Sequence, residues 1–423
     1  MKQIYLSALA LLGSATSLLA QQNPQNRTDA TRAPQEAVTI NGRACATMEV
    51  FESQVAADPQ RAQRMEAIEA MTKRYMAQPT MFKRATTTAT VVTIPVVVHV
   101  VYNTAAQNVT DAQVAAQIKV LNDDFAKANA DASQTPSIFT ASATNVRFVL
   151  AQRDPNGAAT TGIVRRQTKT RSFSSNDFVK YTSKGGSDAW PAGSYLNLWL
   201  CNLGQSLLGY AQFPGGPAAT DGVVCLYSSV PNGTATNYNL GRTATHEVGH
   251  WLNLRHIWGD ATCGNDLVAD TPTQQTSNGG CPQFPHVTCS NQGDMSMNYM
   301  DYTYDRCMYM FTAGQSSRMD ALFVSGGARA SLLTSTGATA LRTVATTAAT
   351  LYPNPATDVL NVEAAAKASG AYSVSVYDLR GHQMTEARYN GAGQVNVAAL
   401  PKGLYYIRVS NGGEVTHQRF EKE

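Results

Sequence analysis

The sequence contains 423 residues, a length that allows about three domains, and its hydrophobic content of 43% excludes a wholly disordered chain. Charge is nearly balanced, with 33 Lys and Arg against 30 Asp and Glu, and the basic residues are not clustered. Binding of nucleic acid through clustered positive charge is therefore not expected. After the first 20 residues no apolar run reaches the ~20 residues needed to cross a bilayer, so no stable membrane insertion is expected.

The first 20 residues have the pattern of a secretory signal peptide. Lys2 supplies a positive start, residues 4–12 are apolar, and Ala20 is a small residue in front of a polar stretch. A membrane anchor is the alternative interpretation, but Gly, Ser and Thr dilute the second half of the segment. We therefore expect export, and residues 1–20 are left out of the fold.

Residues 21–84 are predicted to form a separate, removable N-terminal segment. They are polar apart from a stretch at 61–76, where apolar residues recur at helical spacing. The segment ends at Lys83 and Arg84, which open a Thr- and Ala-rich run. Such a run is exposed and easily cut, so a boundary is expected near residues 85–92.

Two regular elements are predicted at the start of the central region. Residues 93–102 are a continuous apolar run typical of a buried strand. Residues 111–129 carry apolar positions at helical spacing and follow Thr110, so a helix is expected there.

The C-terminal part, residues 341–423, is predicted to be a linker followed by a small β-sandwich. Residues 341–351 are rich in Thr and Ala and nearly uncharged, as in a linker. From residue 350 onward, apolar and polar residues alternate in short runs separated by Asp- and Gly-containing turn signals.

A group of histidines marks the central region. His246 and His250 are four residues apart, so on a helix they share a face and can bind one zinc ion. Glu247 lies beside the first histidine, where it can take a proton from a water on the metal.

His256 is expected to be the third zinc ligand, although a continuous helix would point it away from the metal. The helix must therefore end between His250 and His256, and Asn253 stands where the break is needed, since Asn enters the left-handed region at modest cost. Three His ligands leave an open fourth position, which is typical of a catalytic site. The alternative third ligand is Asp260.

These residues resemble the HExxHxxGxxH signature of the metzincin metalloproteases, with a Met-turn candidate, NYMDY, at 298–302. Within that group the chain is most similar to the pappalysin family. The resemblance implies a zinc metalloendopeptidase domain over 85–340, of α/β (α+β) class, with a twisted mixed sheet, an active-site helix and an irregular lower part held by disulfides. One departure is Asn253, where the family has Gly. The similar stretches are 209–214, 221–230, 245–252, 270–272 and 297–311.

The resemblance also implies roles for individual residues. Glu247 would be the general base and later the proton donor, and Tyr302 would stabilise the developing oxyanion or hydrogen-bond the zinc. Met300 would form the hydrophobic base below the metal. An ordinary packed aromatic and an ordinary core methionine are the alternatives for the last two. An extended substrate would pair as an added strand with Gly209, Tyr210 and Ala211.

Seven cysteines are present, and four of them flank the loop between the two motifs. Four cysteines allow three pairings. The resemblance favours Cys263–Cys289 and Cys281–Cys307. Cys201 and Cys225 lie on strand-like segments, where a disulfide and two buried thiols both remain possible from the sequence.

Cys45 suggests a latency device. A thiolate is a good zinc ligand, so the hypothesis is that Cys45 occupies the open metal position until residues 21 to about 84 are removed. An incidental free cysteine is the alternative.

The resemblance further implies structural calcium in the irregular loop and a specificity residue near its end. Asp266, Asp270 and Thr271 are the best matches for calcium ligands, and a solvated acidic loop is the alternative. Asp305 would line the pocket for the residue after the scissile bond, P1′, and favour Arg or Lys there.

The C-terminal unit resembles the sorting domain of the type IX secretion system of Bacteroidetes, with LYPNPATDVL, VYDLRG and LPKGLYYIRV as the similar stretches. A carbohydrate-binding or spacer sandwich is the alternative. The prediction is a secreted or cell-surface enzyme exported through the periplasm, with type IX machinery and polypeptide substrates as partners. The alternatives are a catalytically weak adhesin on the same scaffold and a hydrolase of non-peptide amides.

Overall fold

A computed structural model describes residues 42, 44–82, 91–204, 206–339, 350–363, 373–379, 381–411 and 414–423. Within these ranges no helix is both long enough and apolar enough to span a membrane. The predicted signal peptide, Lys83, Arg84 and most of the predicted linker lie outside the described residues. The helices are α1 (Thr47–Ala57), α2 (Gln60–Ala77), α3 (Asp111–Phe125), α4 (Arg242–Trp251) and α5 (Ala313–Asp320).

The strands of the central region form one sheet of six, in the order β2-β1-β4-β6-β5, with β3 also paired to β1. All pairs are parallel except β5 with β6, which is antiparallel and puts β5 at the sheet edge. The six strands are β1 (Val92–Tyr102), β2 (Val146–Leu150), β3 (Ile163–Gln167), β4 (Leu196–Cys201), β5 (Gly209–Ala211) and β6 (Val223–Leu226).

The sheet is buried on both faces, which explains why the sequence of β1 is a continuous apolar run. Val96, Val98 and Val100 point into the core that α3 and α4 share, whereas Val101 packs into a separate cluster on the opposite face. The predicted strand is thus confirmed, and a mixed sheet with a backing helix is present as expected.

Helix α3 begins where predicted but ends earlier. Thr110 forms a capping box with Gln113, which fixes the start. The helix ends at Phe125 rather than at Asn129, because the Asn129 side chain donates a hydrogen bond to the carbonyl oxygen of Tyr309 at 3.0 Å and a short 3₁₀ turn follows.

The N-terminal segment contains one expected and one unexpected helix. Helix α2 covers the predicted 61–76 stretch. Helix α1 was not predicted. It buries only Thr47 and Val50, so its sequence has no apolar residues at regular helical spacing.

The C-terminal part contains two antiparallel sheets around an apolar core, as predicted. One sheet has the order β12-β13-β10-β9 and the other β11-β14-β15. Their inner faces supply Leu360, Val376, Val395 and Ile407 to one cluster. The strands are β9 (Thr350–Tyr352), β10 (Val359–Glu363), β11 (Ser373–Tyr377), β12 (Arg388–Tyr389), β13 (Gln394–Asn396), β14 (Gly403–Asn411) and β15 (Glu414–Lys422), while β7 (Gly279–Gly280) and β8 (Tyr302–Thr303) pair within the irregular part of the central region.

The cysteines divide into two disulfides and three thiols. The loop between α4 and α5 contains Cys263–Cys289 and Cys281–Cys307, each closing a separation of 26 residues. Cys201 and Cys225 remain thiols. Their strands are in register with Leu200 opposite Cys225, so the two side chains point to opposite faces of the sheet and cannot meet.

Candidate metal centre and active site

Helix α4 is buried along its whole length and carries the first two histidines. Its N-terminus is held by Asp305, whose Oδ2 accepts hydrogen bonds from the backbone N–H groups of Leu240 at 2.9 Å and Arg242 at 3.3 Å. A carboxylate at this end is favoured by the helix dipole.

The helix ends in a left-handed turn that returns the chain to the site. Asn253 has φ of +70° and is fully buried. The backbone N–H of Leu254 bonds to the carbonyl of Gly249 at 2.9 Å, and Arg318 donates from Nε to the carbonyl of Asn253 at 2.8 Å. The turn places His256 beside the two helical histidines.

The three imidazoles meet through their Nε2 atoms. Nε2 of His250 lies 3.1 Å from Nε2 of His246 and 3.1 Å from Nε2 of His256. Nitrogens bound to one tetrahedral zinc ion at 2.0–2.1 Å would lie about 3.3 Å apart.

Each Nδ1 atom faces an acceptor, which settles where the ring protons lie. His246 Nδ1 is 2.7 Å from the carbonyl oxygen of Tyr299, and His250 Nδ1 is 2.8 Å from that of Leu254. His256 Nδ1 is 2.5 Å from Oδ1 of Asp260. With the proton on Nδ1, three Nε2 lone pairs point at one spot and repel one another unless a cation lies between them, so the donor set fits zinc.

Burial and the neighbouring His256 lower the pKa of His250 well below its usual value. The ring therefore stays neutral, as a metal ligand must. Asp260, the alternative third ligand, stands behind His256: its carboxylate faces Nδ1 of the ring, on the side away from the other two histidines.

Glu247 is 1% exposed and lies against the edge strand. A Cβ atom on Gly209 would come within 2.7 Å of Oε1 of Glu247 and 2.8 Å of the carbonyl oxygen of Val224, so only glycine allows this approach. The Glu247 carboxylate is thus next to the edge strand β5.

Met300 is fully buried beneath the site, and Tyr302 lies at its side. A Cβ on Gly249 would meet Sδ of Met300 at 2.5 Å, so the methionine packs directly under the helix. The Tyr302 hydroxyl is 3.2 Å from Nε2 of His256. Burial, then the Cys45 and Glu247 charges, raise the pKa of Tyr302, which keeps it a neutral donor.

The N-terminal segment fills the cleft. Cys45 completes a group of four possible metal ligands with the three histidines, all within 4.8 Å of one another. Thr47, which the sequence did not single out, donates to Oε2 of Glu247 at 3.1 Å and accepts from the backbone N–H of Ala211 at 2.8 Å. In the sequence, only its position two residues after Cys45 could have suggested that Thr47 lies near the site.

The edge strand, with which the resemblance implies that a substrate pairs, is buried here. Cys45 forms a parallel bridge with Gly209, and the backbone N–H of Ala46 donates to the carbonyl of Gly209 at 3.1 Å. Tyr210 and Ala211 are likewise fully buried. The segment therefore occupies the strand pairing position that a substrate would need.

Two other expected positions are also buried. Asp305 is 0% exposed, at the helix terminus described above. In the loop, Asp266 accepts hydrogen bonds from the Thr271 hydroxyl and the backbone of Val268, while Asp270 accepts from the Thr312 hydroxyl and the backbone of Gly314. Burial raises the pKa of Asp266 to about 6.

Comparison with known families gives two matches along the chain. The model of the peptidase family M43, described as pregnancy-associated plasma protein-A, matches residues 180–324. The model of the secretion system C-terminal sorting domain matches residues 350–423.

Among curated proteins, an extracellular metalloprotease of Sordaria macrospora is 44% identical over 150 residues, which cover 33% of this chain and 53% of that protein. An extracellular metalloprotease of Arthroderma benhamiae is 33% identical over 54% of this chain and 76% of its own length. The chain thus spans about half the length of the first of these relatives and three quarters of the second.

Two solved structures are also similar. A promirolysin variant of Tannerella forsythia is 47% identical, covers 69% of this chain and 97% of its own, and superposes with a TM-score of 0.63. Mature mirolysin of the same organism, in complex with a cleaved peptide, is 53% identical over 58% of this chain and 96% of its own, with a TM-score of 0.57.

The chain belongs to the pappalysin family, M43, of metalloproteases, and it ends in a type IX sorting domain. The extracellular relatives and the sorting domain place the protein outside the cell, secreted or at the cell surface.

Replacing Asp260 with Asn is expected to weaken zinc binding about 10- to 100-fold, because the amide can present its nitrogen to Nδ1 and no longer fixes the tautomer of His256. Competition with a chromophoric chelator would measure this. Asp123→Asn, on the exposed side of α3, is the control. Equal zinc affinity in both variants would contradict the assigned role.

Proposed function

We propose that this protein is a secreted zinc endopeptidase, made in a latent form, that cleaves polypeptides with a preference for Arg or Lys at P1′. The main support is that the Nε2 atoms of three histidines converge beside the buried carboxylate of Glu247. Each Nδ1 atom faces an oxygen that accepts its proton, so each Nε2 atom is left without one.

His246, His250 and His256 would hold the ion. When bound, zinc supplies a water of lowered pKa and polarises the scissile carbonyl. Glu247 accepts a proton from the attacking water and then donates it to the leaving amine. Tyr302 donates its hydroxyl hydrogen to the developing oxyanion.

The substrate is proposed to be an extended polypeptide that adds a strand to Gly209, Tyr210 and Ala211. Two observations support this. The N-terminal segment already makes backbone hydrogen bonds to this strand, and mirolysin, a similar protein, has been solved with a cleaved peptide. A non-peptide amide would not need a free strand edge.

Casein digestion tests the activity and separates a protease from an adhesin. The processed protein should digest casein, and a chelator should stop digestion reversibly. Glu247→Gln should lower kcat/KM by about 10²- to 10⁴-fold, because proton transfer is lost while the shape is kept. Asp123→Asn, on the outer side of α3 in the protease domain, is the control. Full activity of the Glu247 variant, or with chelator present, would refute the proposal.

Latency is proposed to rest on Cys45 as the fourth ligand, with Thr47 blocking the general base. Burial and Glu247 raise the pKa of the Cys45 thiol well above its usual value, so a thiolate here requires a cation next to it. The pro form of mirolysin also covers more of this chain than the mature form, 69% against 58%, which supports a propeptide over residues 21–84.

The Cys45→Ala zymogen is expected to become active several-fold sooner than the unmodified chain, because the ligand position opens to water. The time course of casein cleavage after purification measures this. Cys201→Ala, a buried thiol elsewhere in the sheet, is the matched control. Unchanged latency would rule out the switch.

Specificity for a basic P1′ residue is proposed to come from the charge of Asp305, next to the start of the active-site helix. Asp305→Asn retains an oxygen that can accept the helix N–H bonds but removes the charge. The preference for Arg over Leu at P1′ should fall by about 10- to 100-fold in kcat/KM, as for loss of a charge-assisted hydrogen bond. Paired peptides differing at P1′ measure it, and a retained preference would reject the assignment.

Calcium is proposed to bind the loop through Asp266, Asp270 and Thr271. The support is electrostatic: Asp266 is a buried carboxylate with a pKa raised to about 6, and a divalent cation would relieve the cost of burying its charge. Export through type IX machinery is supported by the sorting domain at residues 350–423.

A further inference from the structure

Two arginines of the protease domain hold a glutamate of the N-terminal segment. Glu69, on α2, contacts Arg318 of α5 through Oε1, and the same oxygen is 3.7 Å from Nη2 of Arg255. The side chain of Arg318 is 2% exposed and that of Glu69 is 19% exposed. This ion pair lies on a different part of the segment from Cys45 and Thr47.

The two arginines differ in how their other donors are used. Nε of Arg318 is committed to the carbonyl of Asn253, the turn residue between the second and third histidines. Arg255 immediately precedes His256, and its own Nε atom is buried without a hydrogen-bond partner within the part of the chain that the structure describes. Arg318 is therefore anchored, and Arg255 keeps an unused donor even with Glu69 in place.

The space beside the pair is large enough for a ligand. A cavity of about 540 Å³ is lined by Arg318 and by residues 265 and 267–269 on one side, and by residues of α2, including Glu69 and Lys73, on the other. Removal of the N-terminal segment would take away the α2 wall and the only glutamate in it. Two guanidinium groups would then face solvent at the edge of the active-site region.

We propose that Arg255 and Arg318 form a carboxylate-binding exosite of the mature protease, which Glu69 fills in the latent chain. Its ligand is an acidic side chain of the polypeptide substrate, bound away from the scissile bond. The donors suit a carboxylate, because guanidinium groups present paired N–H donors to two oxygens. When Glu69 leaves, the buried charge of Arg318 has no partner, which costs free energy. A carboxylate from another molecule would restore the ion pair.

Asp266 is an internal competitor for Arg318. Burial raises the pKa of Asp266, and the charge of Arg318 lowers it by a smaller amount. Its carboxylate oxygens already accept hydrogen bonds from Thr271 and from the backbone of Val268. Glu69 is bound by Arg318 in its presence, so Asp266 does not saturate the site.

The first test uses the full chain. After cleavage in the linker, the N-terminal segment should stay with the protease during gel filtration at low salt and dissociate as salt is raised. Glu69→Gln should release it at least about tenfold more readily. Glu66→Gln, an exposed change on the same helix, is the control. Equal retention of the Glu69 and Glu66 variants would overturn the proposal.

The second test rests on the proposed peptidase activity and uses the processed protein. Peptides sharing one cleavage site carry Glu or Gln at successive positions on either side of it. At one position Glu should raise kcat/KM by about tenfold over Gln, and Arg255→Gln should bring the Glu-to-Gln ratio of kcat/KM close to one. Arg255→Gln is preferred to a change at Arg318, which also supports the Asn253 turn. Exposed Arg171→Gln is the control.

Competition with free citrate is a third test, since a soluble carboxylate should compete with the substrate for the two arginines. It should slow cleavage of the preferred Glu peptide and not that of its Gln partner. Citrate also chelates metal ions, and chelation would slow cleavage of the Glu and Gln peptides equally. Equal kcat/KM for every Glu and Gln pair, with both peptides cleaved, would overturn the exosite. Failure to cleave either peptide would instead reject the peptidase activity.

Discussion

The site depends on hydrogen bonds made on the side of the imidazoles that faces away from the metal. Three carbonyl or carboxylate oxygens, from Tyr299, Leu254 and Asp260, hold the Nδ1 protons and so leave the three Nε2 lone pairs free to converge. One of these oxygens belongs to the chain just after the helix and another to the Met-turn. The helix, the turn at Asn253 and the Met-turn must therefore be correctly placed together before a cation can bind.

The N-terminal segment resembles a substrate in position but not in chemistry. It pairs with the edge strand near Gly209, puts a thiol where the open metal position would be, and gives Glu247 a hydroxyl donor in Thr47. A single segment thus contacts the edge strand, the three histidines and Glu247 at once. Loss of any one contact would leave the other two in place.

A second, separate contact holds the same segment further along. Glu69 bonds to Arg318, and Arg318 bonds to the carbonyl of Asn253, so the ion pair adjoins the turn that delivers His256. Charge pairing of this kind is weak at an exposed surface but substantial where one partner is 2% exposed. The protease domain therefore presents both its cleft and a charged exosite to whatever polypeptide lies across it.

Local spacing in the sequence determined the two helical histidines, the adjacent glutamate, the breaker at Asn253, the buried strand β1 and the start of α3, because each follows from helix or strand periodicity and capping. Helix α1, the contacts of Thr47 and the pairing of Glu69 with Arg318 could not be predicted, since they involve residues between 158 and 249 positions apart. The same holds for Cys201 and Cys225, whose separation depends on strand register. Only the tertiary structure decided these features, because contacts with residues distant in the sequence do not produce a regular spacing of apolar residues within a segment.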